Sequence, residues 1–383
     1  MGSRTDRLSP FLVMEILERA GELQRAGTEV IHLEVGEPDF PTPECIREAG
    51  LEAIRRGHTR YTPSLGLPEL REAIAEDYRR RYGVAVSPEQ VVVTSGTSPA
   101  LLLLFGALLE PGDEVLLPDP HYACYPNFIR FLEGQPVFFP LRAAEGYQYD
   151  RDRIRAARTP RTVALMVNSP ANPTGAVLSR ETLAALAEED LWLISDEIYH
   201  GLVYEGRAHS ILEFTDRAFV LNGFSKRYAM TGWRLGYVIA PLPFIRPMQI
   251  MAQNFFISPA DFVQHAGLAA LRQAEPDVQR MVAEYARRRA FLLPALQALG
   301  FGLDTLPAGA YYVLARAERF SRDSRSLAQE LLEKAHVAVT PGIDFGPAAE
   351  GYLRFSYANS LENLQAGIAR LQAYLAASPR EAG

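Results

Sequence analysis

The sequence predicts an α/β protein whose centre is a mostly parallel β-sheet covered by helices. Between about residues 42 and 280, short apolar or β-branched segments alternate with segments of helical periodicity, the pattern of repeated strand–helix–strand units. The chain has 383 residues, 48% of them hydrophobic, enough to bury a large core. The predicted strands are residues 90–94, 114–117, 162–167, 191–195, 218–222 and 237–240.

The segment before this region begins with a predicted helix. Ser9 and Pro10 supply an N-cap and a proline at the first helical position, which is a common helix start. Apolar residues follow at helical spacing until Gly27, and a short apolar segment covers residues 30–35.

The C-terminal part predicts a smaller α+β unit. A long helix over residues 277–299 ends at Gly300, and strand-like segments follow at residues 311–315 and 352–356. Because no linker-like stretch separates the two parts, we predict two domains packed in one body. The expected division is an N-terminal arm and part of the small domain (1–41), a large domain (42–280) and the rest of the small domain (281–383).

Composition excludes several classes of function. The 39 basic and 46 acidic side chains give a net charge of −7 without long like-charge runs, which argues against a nucleic-acid partner. The longest apolar run, residues 100–109, is too short to cross a membrane. Two cysteines, Cys45 and Cys124, match a reducing compartment better than a disulfide framework. These features predict a cytoplasmic protein without a membrane partner.

Common cofactor and metal motifs are missing. The segment Gly300-Phe301-Gly302 lacks the third glycine of a dinucleotide-binding turn, and neither lysine follows the glycines of a phosphate-binding loop. The seven histidines form no HExxH or HxH pair, so the sequence predicts no metal site.

Polar side chains gather where the predicted strands end, which is the sheet edge at which open α/β folds bind ligands. The first strand is followed by Ser95-Gly96-Thr97-Ser98-Pro99, a helix start whose free N–H groups suit a phosphate. Later strands end in Asn168 to Gly175, in Asp196-Glu197-Ile198-Tyr199 and in Gly223-Phe224-Ser225-Lys226, with Arg234 eight residues further on.

This set of side chains matches the needs of pyridoxal 5′-phosphate. That cofactor requires a lysine amine for covalent attachment, an acid beside its ring nitrogen, donors for its ring hydroxyl and an anion site for its phosphate. The chain has only two lysines, and Lys226 is the one at the sheet edge, whereas Lys334 lies in a polar helical stretch. Tyr122, just after a predicted strand, could stack on the ring.

The sequence resembles the pyridoxal-phosphate aminotransferases of class I/II, which have fold type I. The resemblance covers roughly residues 9–370, and its motifs occur in the family's order. They are Gly36-Glu37-Pro38-Asp39-Phe40, Tyr61-Thr62-Pro63-Ser64-Leu65-Gly66, Ser95-Gly96-Thr97, Asn168-Ser169-Pro170-Ala171-Asn172-Pro173-Thr174-Gly175, Ser195-Asp196-Glu197-Ile198-Tyr199, Ser225-Lys226 and Leu353-Arg354-Phe355-Ser356.

The resemblance implies a large domain with a mostly parallel seven-stranded sheet, a smaller α+β domain and a role for each site residue. Lys226, Asp196 and Tyr199 would be catalytic: Lys226 would bond the cofactor and Asp196 would pair with its ring nitrogen. Tyr122 would stack on the ring. The other cofactor contacts would be Asn172 and Tyr199 at the ring hydroxyl, and Gly96, Thr97, Ser225, Arg234 and the partner subunit's Tyr61 at the phosphate. The last contact implies a homodimer.

The resemblance also implies the substrates, an L-amino acid and a 2-oxo acid. Arg354 would bind the substrate α-carboxylate bidentately, with Asn172 and the Gly36 backbone beside it. Dicarboxylate-specific members of the family bind the distal carboxylate with a second cation. It is commonly a lysine just after the phosphate turn or an arginine in a proline-containing loop. Ser98 and residues 251–259 offer neither, so we expect a neutral or aromatic amino donor.

Two other functions remain open at this point. A C–S β-lyase would use the same cofactor and fold, and pyruvate release from cystathionine would distinguish it. A non-catalytic regulatory protein that binds pyridoxal phosphate would need an additional DNA-binding helix-turn-helix unit, for which the chain has no spare segment.

Overall fold

The structure, a computed structural model, describes residues 4–377. Its helices are α1 (Leu12–Arg25), α2 (Glu44–Arg55), α3 (Pro68–Tyr82), α4 (Thr97–Leu108), α5 (Tyr125–Phe131), α6 (Arg151–Ala157), α7 (Arg180–Ala187), α8 (Leu242–Phe255), α9 (Asp261–Gln273), α10 (Glu275–Leu299), α11 (Ser324–Glu330) and α12 (Leu361–Ala377). Its strands are β1 (Ile31–His32), β2 (Val91–Thr94), β3 (Glu114–Asp119), β4 (Gln135–Pro140), β5 (Thr162–Asn168), β6 (Trp192–Asp196), β7 (Ala218–Gly223), β8 (Gly236–Ile239), β9 (Tyr312–Arg316), β10 (Val337–Ala338), β11 (Thr340–Pro341) and β12 (Tyr352–Ser356).

Seven strands form the central sheet in the order β2-β8-β7-β6-β5-β3-β4. All neighbouring pairs are parallel except those of β8, which runs antiparallel to β2 and β7. The predicted α/β fold is therefore confirmed. Because β2, β3, β5, β6 and β7 share one direction, their C-terminal ends lie at the same edge of the sheet.

Helices cover both faces of this sheet, and successive strand residues alternate between two apolar cores. Along β3, Leu116 packs into one core, whereas Val115 and Leu117 pack into the other. All three side chains are fully buried, as expected for a parallel sheet enclosed on both faces. No described helix is both long and apolar enough to cross a membrane.

Two small sheets accompany the large one. Strand β1 pairs in parallel with β10, and β11, β12 and β9 form an antiparallel sheet. The pair β1–β10 joins the N-terminal segment to the C-terminal part of the chain, although more than 300 residues separate Ile31 from its partner Val337.

The first helix begins later than the sequence predicts. Ser9 and Pro10 lie before it, and α1 starts at Leu12 without a side-chain cap from its own N-cap residue. Instead, the Asp344 carboxylate accepts hydrogen bonds from the backbone N–H groups of Leu12 at 2.9 Å and Val13 at 3.3 Å. A distant carboxylate thus replaces the local cap and fixes where α1 begins.

Candidate active site

The C-terminal edge of the sheet, α1 and the β9–β12 sheet enclose a cavity of about 360 Å³. Ten of the side chains or backbone groups that the sequence indicated line it together. They are Gly36, Thr97, Tyr122, Asn172, Asp196, Tyr199, Ser225, Lys226, Arg234 and Arg354.

Lys226 follows the end of β7 and reaches into the cavity, where its ammonium donates a hydrogen bond to the Gly36 carbonyl at 2.6 Å. Its removal from water lowers the pKa of Lys226 to about 8, and the neighbouring Arg354 and Arg234 act in the same direction. At this pKa about a tenth of the amine is neutral at pH 7, far more than for an ordinary lysine, and the neutral amine is the form that attacks a carbonyl carbon.

Asp196 is the last residue of β6, and its carboxylate is buried. It accepts hydrogen bonds from the Tyr125 phenol at 2.6 Å and from the Ile198 backbone N–H at 3.1 Å. Burial raises the pKa of Asp196, while these two hydrogen bonds and the charge of Lys226 oppose the rise. Tyr125 could not be predicted from the sequence, where its only signal is its position three residues after Tyr122.

Tyr199 lies three residues after the end of β6 and shares a hydrogen bond of 2.9 Å with the Tyr312 hydroxyl. Burial raises the pKa of both phenols, so they stay protonated and can donate hydrogen bonds. Tyr312 begins β9 and was also missed, because a tyrosine at the start of a buried strand is usually a core residue.

An anion site lies at the start of α4. Thr97 is its first residue, and Gly96 before it has a φ of 99°, which favours glycine. Gly96 does not line the cavity itself, but a Cβ at this position would lie 2.4 Å from Arg234 Nη2. The glycine therefore lets the guanidinium approach the free N–H groups of the helix N-terminus, and together they suit a phosphate.

Arg354 is 2% exposed and lies between the rings of Tyr312 and Phe345, with its guanidinium carbon 4.2 Å and 4.9 Å from their centroids. Its Nη1 donates to Asn172 Oδ1 at 2.8 Å, and its Nη2 donates to Thr340 Oγ1 at 3.2 Å. Within the described residues, the buried Nε has no hydrogen-bond partner. A buried guanidinium with an unused donor suits a carboxylate.

Comparison with known proteins identifies the family of this chain. The sequence profile of the family "Aminotransferase class I and II" matches residues 28–371. The chain belongs to the class I and II aminotransferases. It is an enzyme of this family, whose members use pyridoxal 5′-phosphate to transfer amino groups between amino acids and 2-oxo acids.

Individual relatives match over nearly their full length. The aspartate/prephenate aminotransferase of Thermus thermophilus is 43% identical, with 97% of each chain covered. The (5-formylfuran-3-yl)methyl phosphate transaminase of Methanocaldococcus jannaschii is 40% identical, with 98% of this chain and 99% of the relative covered. The solved structure of Thermus thermophilus aspartate aminotransferase with maleate has a TM-score of 0.93 at 43% identity, covering 97% and 99%.

The cavity of this aminotransferase fits the family's cofactor. Lys226 offers an amine of lowered pKa, and the buried Asp196 is held by two donors. The cradle between Gly96 and Arg234, which a Cβ would fill, provides the anion site. Covalent attachment, ring-nitrogen pairing and phosphate binding can therefore all be served by residues present here.

Tyr61, unlike the other predicted site residues, lies away from both the cavity and the anion site. It is 81% exposed in the single chain, and it lies in the loop between α2 and α3. A tyrosine this exposed contributes nothing to the cavity of its own chain.

The first helix of the aminotransferase forms an apolar wall that the sequence analysis did not predict. Phe11, Val13, Met14 and Leu17 line the cavity from α1 and the residue before it. Their spacing is that of any amphipathic helix facing a core, so the sequence alone could not assign them to a site.

Proposed function

We propose that this aminotransferase prefers amino donors with neutral or aromatic side chains over aspartate. The observation that carries the proposal is the charge of the cavity lining. Its described cationic side chains are Lys226, Arg234 and Arg354, and the proposed mechanism uses all three. No described lining cation is left for a distal carboxylate, whose burial without a partner is costly. The names of the relatives span aspartate, prephenate and a furan phosphate, so family membership leaves the donor open.

The proposed roles follow the chemistry of each group. Lys226 holds the cofactor at rest, and its free amine takes the proton from the substrate Cα and returns a proton later in the reaction. When bound, the cofactor supplies the carbonyl group that exchanges for the amino group and a ring that spreads negative charge. Asp196 pairs with the ring nitrogen, and Tyr122 stacks on the ring. The remaining contacts are Asn172 and Tyr199 at the ring hydroxyl, and Gly96, Thr97, Ser225 and Arg234 at the phosphate.

Arg354 binds the α-carboxylate of both substrates in this proposal. Asn172 accepts from one of its Nη groups and so fixes the plane of the guanidinium, while the Gly36 backbone borders the same space. The wall of Phe11, Met14 and Leu17 then faces the donor side chain and keeps water from it.

The test is a comparison of kcat/KM for aspartate with leucine, methionine, phenylalanine and alanine, with 2-oxoglutarate and pyruvate as acceptors. The proposal predicts that aspartate does not lead the other donors. Aspartate leading all four by about tenfold, or about 1.4 kcal/mol of transition-state stabilisation, contradicts it. Rapid pyruvate release from cystathionine would instead favour the C–S β-lyase.

Ser98 offers a sharper variant because it lines the cavity just after the anion site. Ser98→Lys introduces a cation there and should raise the aspartate-to-leucine ratio of kcat/KM by about tenfold or more. Ser98→Met, of similar length but uncharged, is the control and should leave the ratio unchanged. If both variants change the aspartate-to-leucine ratio equally, the charge at position 98 does not determine which donor is preferred.

We also propose a homodimer in which Tyr61 completes the phosphate site of the neighbouring chain. The 81% exposure of its side chain supports this, since a partner would cover it. Mixing subunits of Lys226→Ala with subunits of Tyr61→Ala tests the proposal. In a hybrid dimer, the Tyr61→Ala chain keeps its Lys226, and the Lys226→Ala chain keeps its Tyr61. These two residues meet in one intact site only if Tyr61 acts on the neighbouring chain. Activity recovered on mixing is expected, and the absence of recovery contradicts the proposal.

We propose a cytoplasmic location and a division into an N-terminal arm with part of the small domain (1–41), a large cofactor-binding domain (42–280) and the rest of the small domain (281–383). Cys45 and Cys124 are both unpaired thiols, which is typical of a reducing compartment. The seven-stranded sheet lies within 42–280, and the antiparallel sheet of β9, β11 and β12 lies within 281–383. Because residue 280 lies within α10, limited proteolysis should cut first near residue 41 and at the ends of this helix, whereas a first cut inside either sheet would contradict the division.

A further inference from the structure

A second group of ligand-type side chains lies away from the cavity, where the segment after α2 meets the start of α9. It consists of His58, Asp261 and His265. Asp261 is the first residue of α9, and His265 lies one turn later on the same face of that helix. Because His58 comes from a distant part of the chain, no spacing in the sequence indicated this group.

The three side chains converge on one point. His58 Nδ1 lies 3.5 Å from Asp261 Oδ2, and His265 Nε2 lies 3.3 Å from Asp261 Oδ1. The imidazole rings lie 4.2 Å apart between centroids, and one ligand atom from each residue falls within 4.8 Å of the others. Two ligands that each lie about 2.0–2.1 Å from a tetrahedral ion are about 3.3 Å apart, which matches the two nitrogen–oxygen separations.

One carboxylate oxygen of this group accepts no hydrogen bond from the described residues. Asp261 Oδ1 is buried, and within the described residues it forms no hydrogen bond, although His265 Nε2 lies close to it. A buried carboxylate oxygen without a donor is costly, and a bound cation would satisfy it.

The charged side chains around this group leave the Asp261 carboxylate available to a metal ion. A concave surface of about 310 Å³ borders it, and the ionisable residues on that surface besides the two histidines are Glu52, Arg56 and Arg272. Arg56 donates to Glu52 at 2.7 Å, so this cation is already paired. Within the described residues, neither Arg56 nor Arg272 forms an ion pair with Asp261, whose partners are the two imidazoles.

We propose that His58, Asp261 and His265 bind one Zn²⁺ ion or a similar divalent transition metal. Two imidazole nitrogens and one carboxylate oxygen form a donor set that Zn²⁺ accepts, and the concave surface leaves a fourth position open to water. This assigns a metal site where the histidine spacing in the sequence predicted none.

The site would act as a clamp between two parts of the chain. Residue 58 lies three positions before Tyr61, and the Gln264 side chain already donates to Thr62 Oγ1 at 3.0 Å. A metal ion adds a stronger link at the same junction, so its binding should stabilise the native state by mass action. The proposal does not depend on which amino donor the enzyme uses.

Calorimetric titration of the untagged, metal-free holoenzyme with ZnCl₂ tests the proposal. The variants are His58→Gln and His265→Gln, whose side chains are 41% and 31% exposed and so tolerate replacement. The matched control is His209→Gln. His209 lies 2.9 Å from Glu213 at the same i,i+4 spacing, but Arg180 and Arg207 also approach that carboxylate, at 3.5 Å and 3.7 Å.

We expect one saturable Zn²⁺ per chain in the parent and in His209→Gln. Even an outer-shell partner of a metal is worth about 10–100-fold in affinity, so loss of His58 or His265 should weaken binding at least about tenfold. Co²⁺ in place of Zn²⁺ should give the intense visible bands of a tetrahedral site. Either no saturable binding, or binding that both ligand variants retain at full strength, overturns the proposal.

Discussion

The Tyr125 phenol donates a hydrogen bond of 2.6 Å to Asp196 Oδ2 at the end of β6. Both side chains are buried, so the bond forms in a medium where it is stronger than in water. Burial alone favours the neutral acid, whereas the bond favours the carboxylate. Tyr125 therefore helps to keep Asp196 ionised, the form that can pair with a protonated ring nitrogen.

Tyr125→Phe should move the acid limb of the kcat profile to higher pH. Asp196 has a raised pKa, so its ionised form is lost as the pH falls through that value, and removal of a donor raises the value further. A hydrogen bond to a charged group contributes about 1.5–3 kcal/mol, equivalent to about one to two pH units. The measurement is kcat against pH. Tyr147→Phe, which removes another buried phenol, is the control, and equal profiles for both variants would refute this role.

Asp196→Ala should bind the cofactor but react slowly, because an unprotonated ring accepts charge from the substrate poorly. The lost electrostatic stabilisation is on the order of 3–5 kcal/mol, or about 10²–10⁴ in kcat. Single-turnover kinetics with a good donor measure it directly. If the variant keeps most of its kcat, another group pairs with the ring nitrogen.

Asp344→Ala should loosen the start of α1, since the carboxylate accepts from the Leu12 and Val13 N–H groups. A lost cap costs about 0.5–2 kcal/mol of unfolding free energy. Because α1 forms the apolar wall, KM for leucine should rise while KM for alanine changes little. The Asp344 carboxylate also interacts electrostatically with Arg354. An effect through Arg354 would raise KM for both leucine and alanine.

The control for this prediction is Asp323→Ala. Asp323 caps α11 by accepting from the Ser326 N–H at 2.9 Å, and it does not line the cavity. It should lower the free energy of unfolding by a similar amount without a change in either KM. Equal KM changes in the two variants would mean that general destabilisation, and not the wall, is responsible.

The groups that the sequence could predict lie next to regular elements. Asp196 ends a strand and Lys226 follows one by three residues, so the direction of the parallel strands was enough to bring them together. The predicted strands agree with the observed ones to within two residues, and residues 352–356 agree fully.

The groups that it could not predict depend on contacts between distant segments. Tyr312 meets Tyr199 across 113 positions, and the Asp344 cap of α1 acts across more than 330. Strand β4 was missed because its sequence, Gln-Pro-Val-Phe-Phe-Pro, contains two prolines, which are tolerated only because β4 is the edge strand. The group of His58, Asp261 and His265 could not be predicted for the same reason. It forms only when the segment after α2 packs against the start of α9.

The most direct test of the account is to locate the covalent attachment of the cofactor. The chain has two lysines, and Lys334 on the surface pairs with Glu330 at 3.0 Å, so Lys334→Ala is a natural control for Lys226→Ala. Reduction of the holoenzyme with sodium borohydride, digestion and peptide mass spectrometry should find the cofactor on Lys226 in the parent and in Lys334→Ala. Lys226→Ala should carry no reducible linkage and no transaminase activity. A reduced cofactor on Lys334, or retained in Lys226→Ala, would contradict the account.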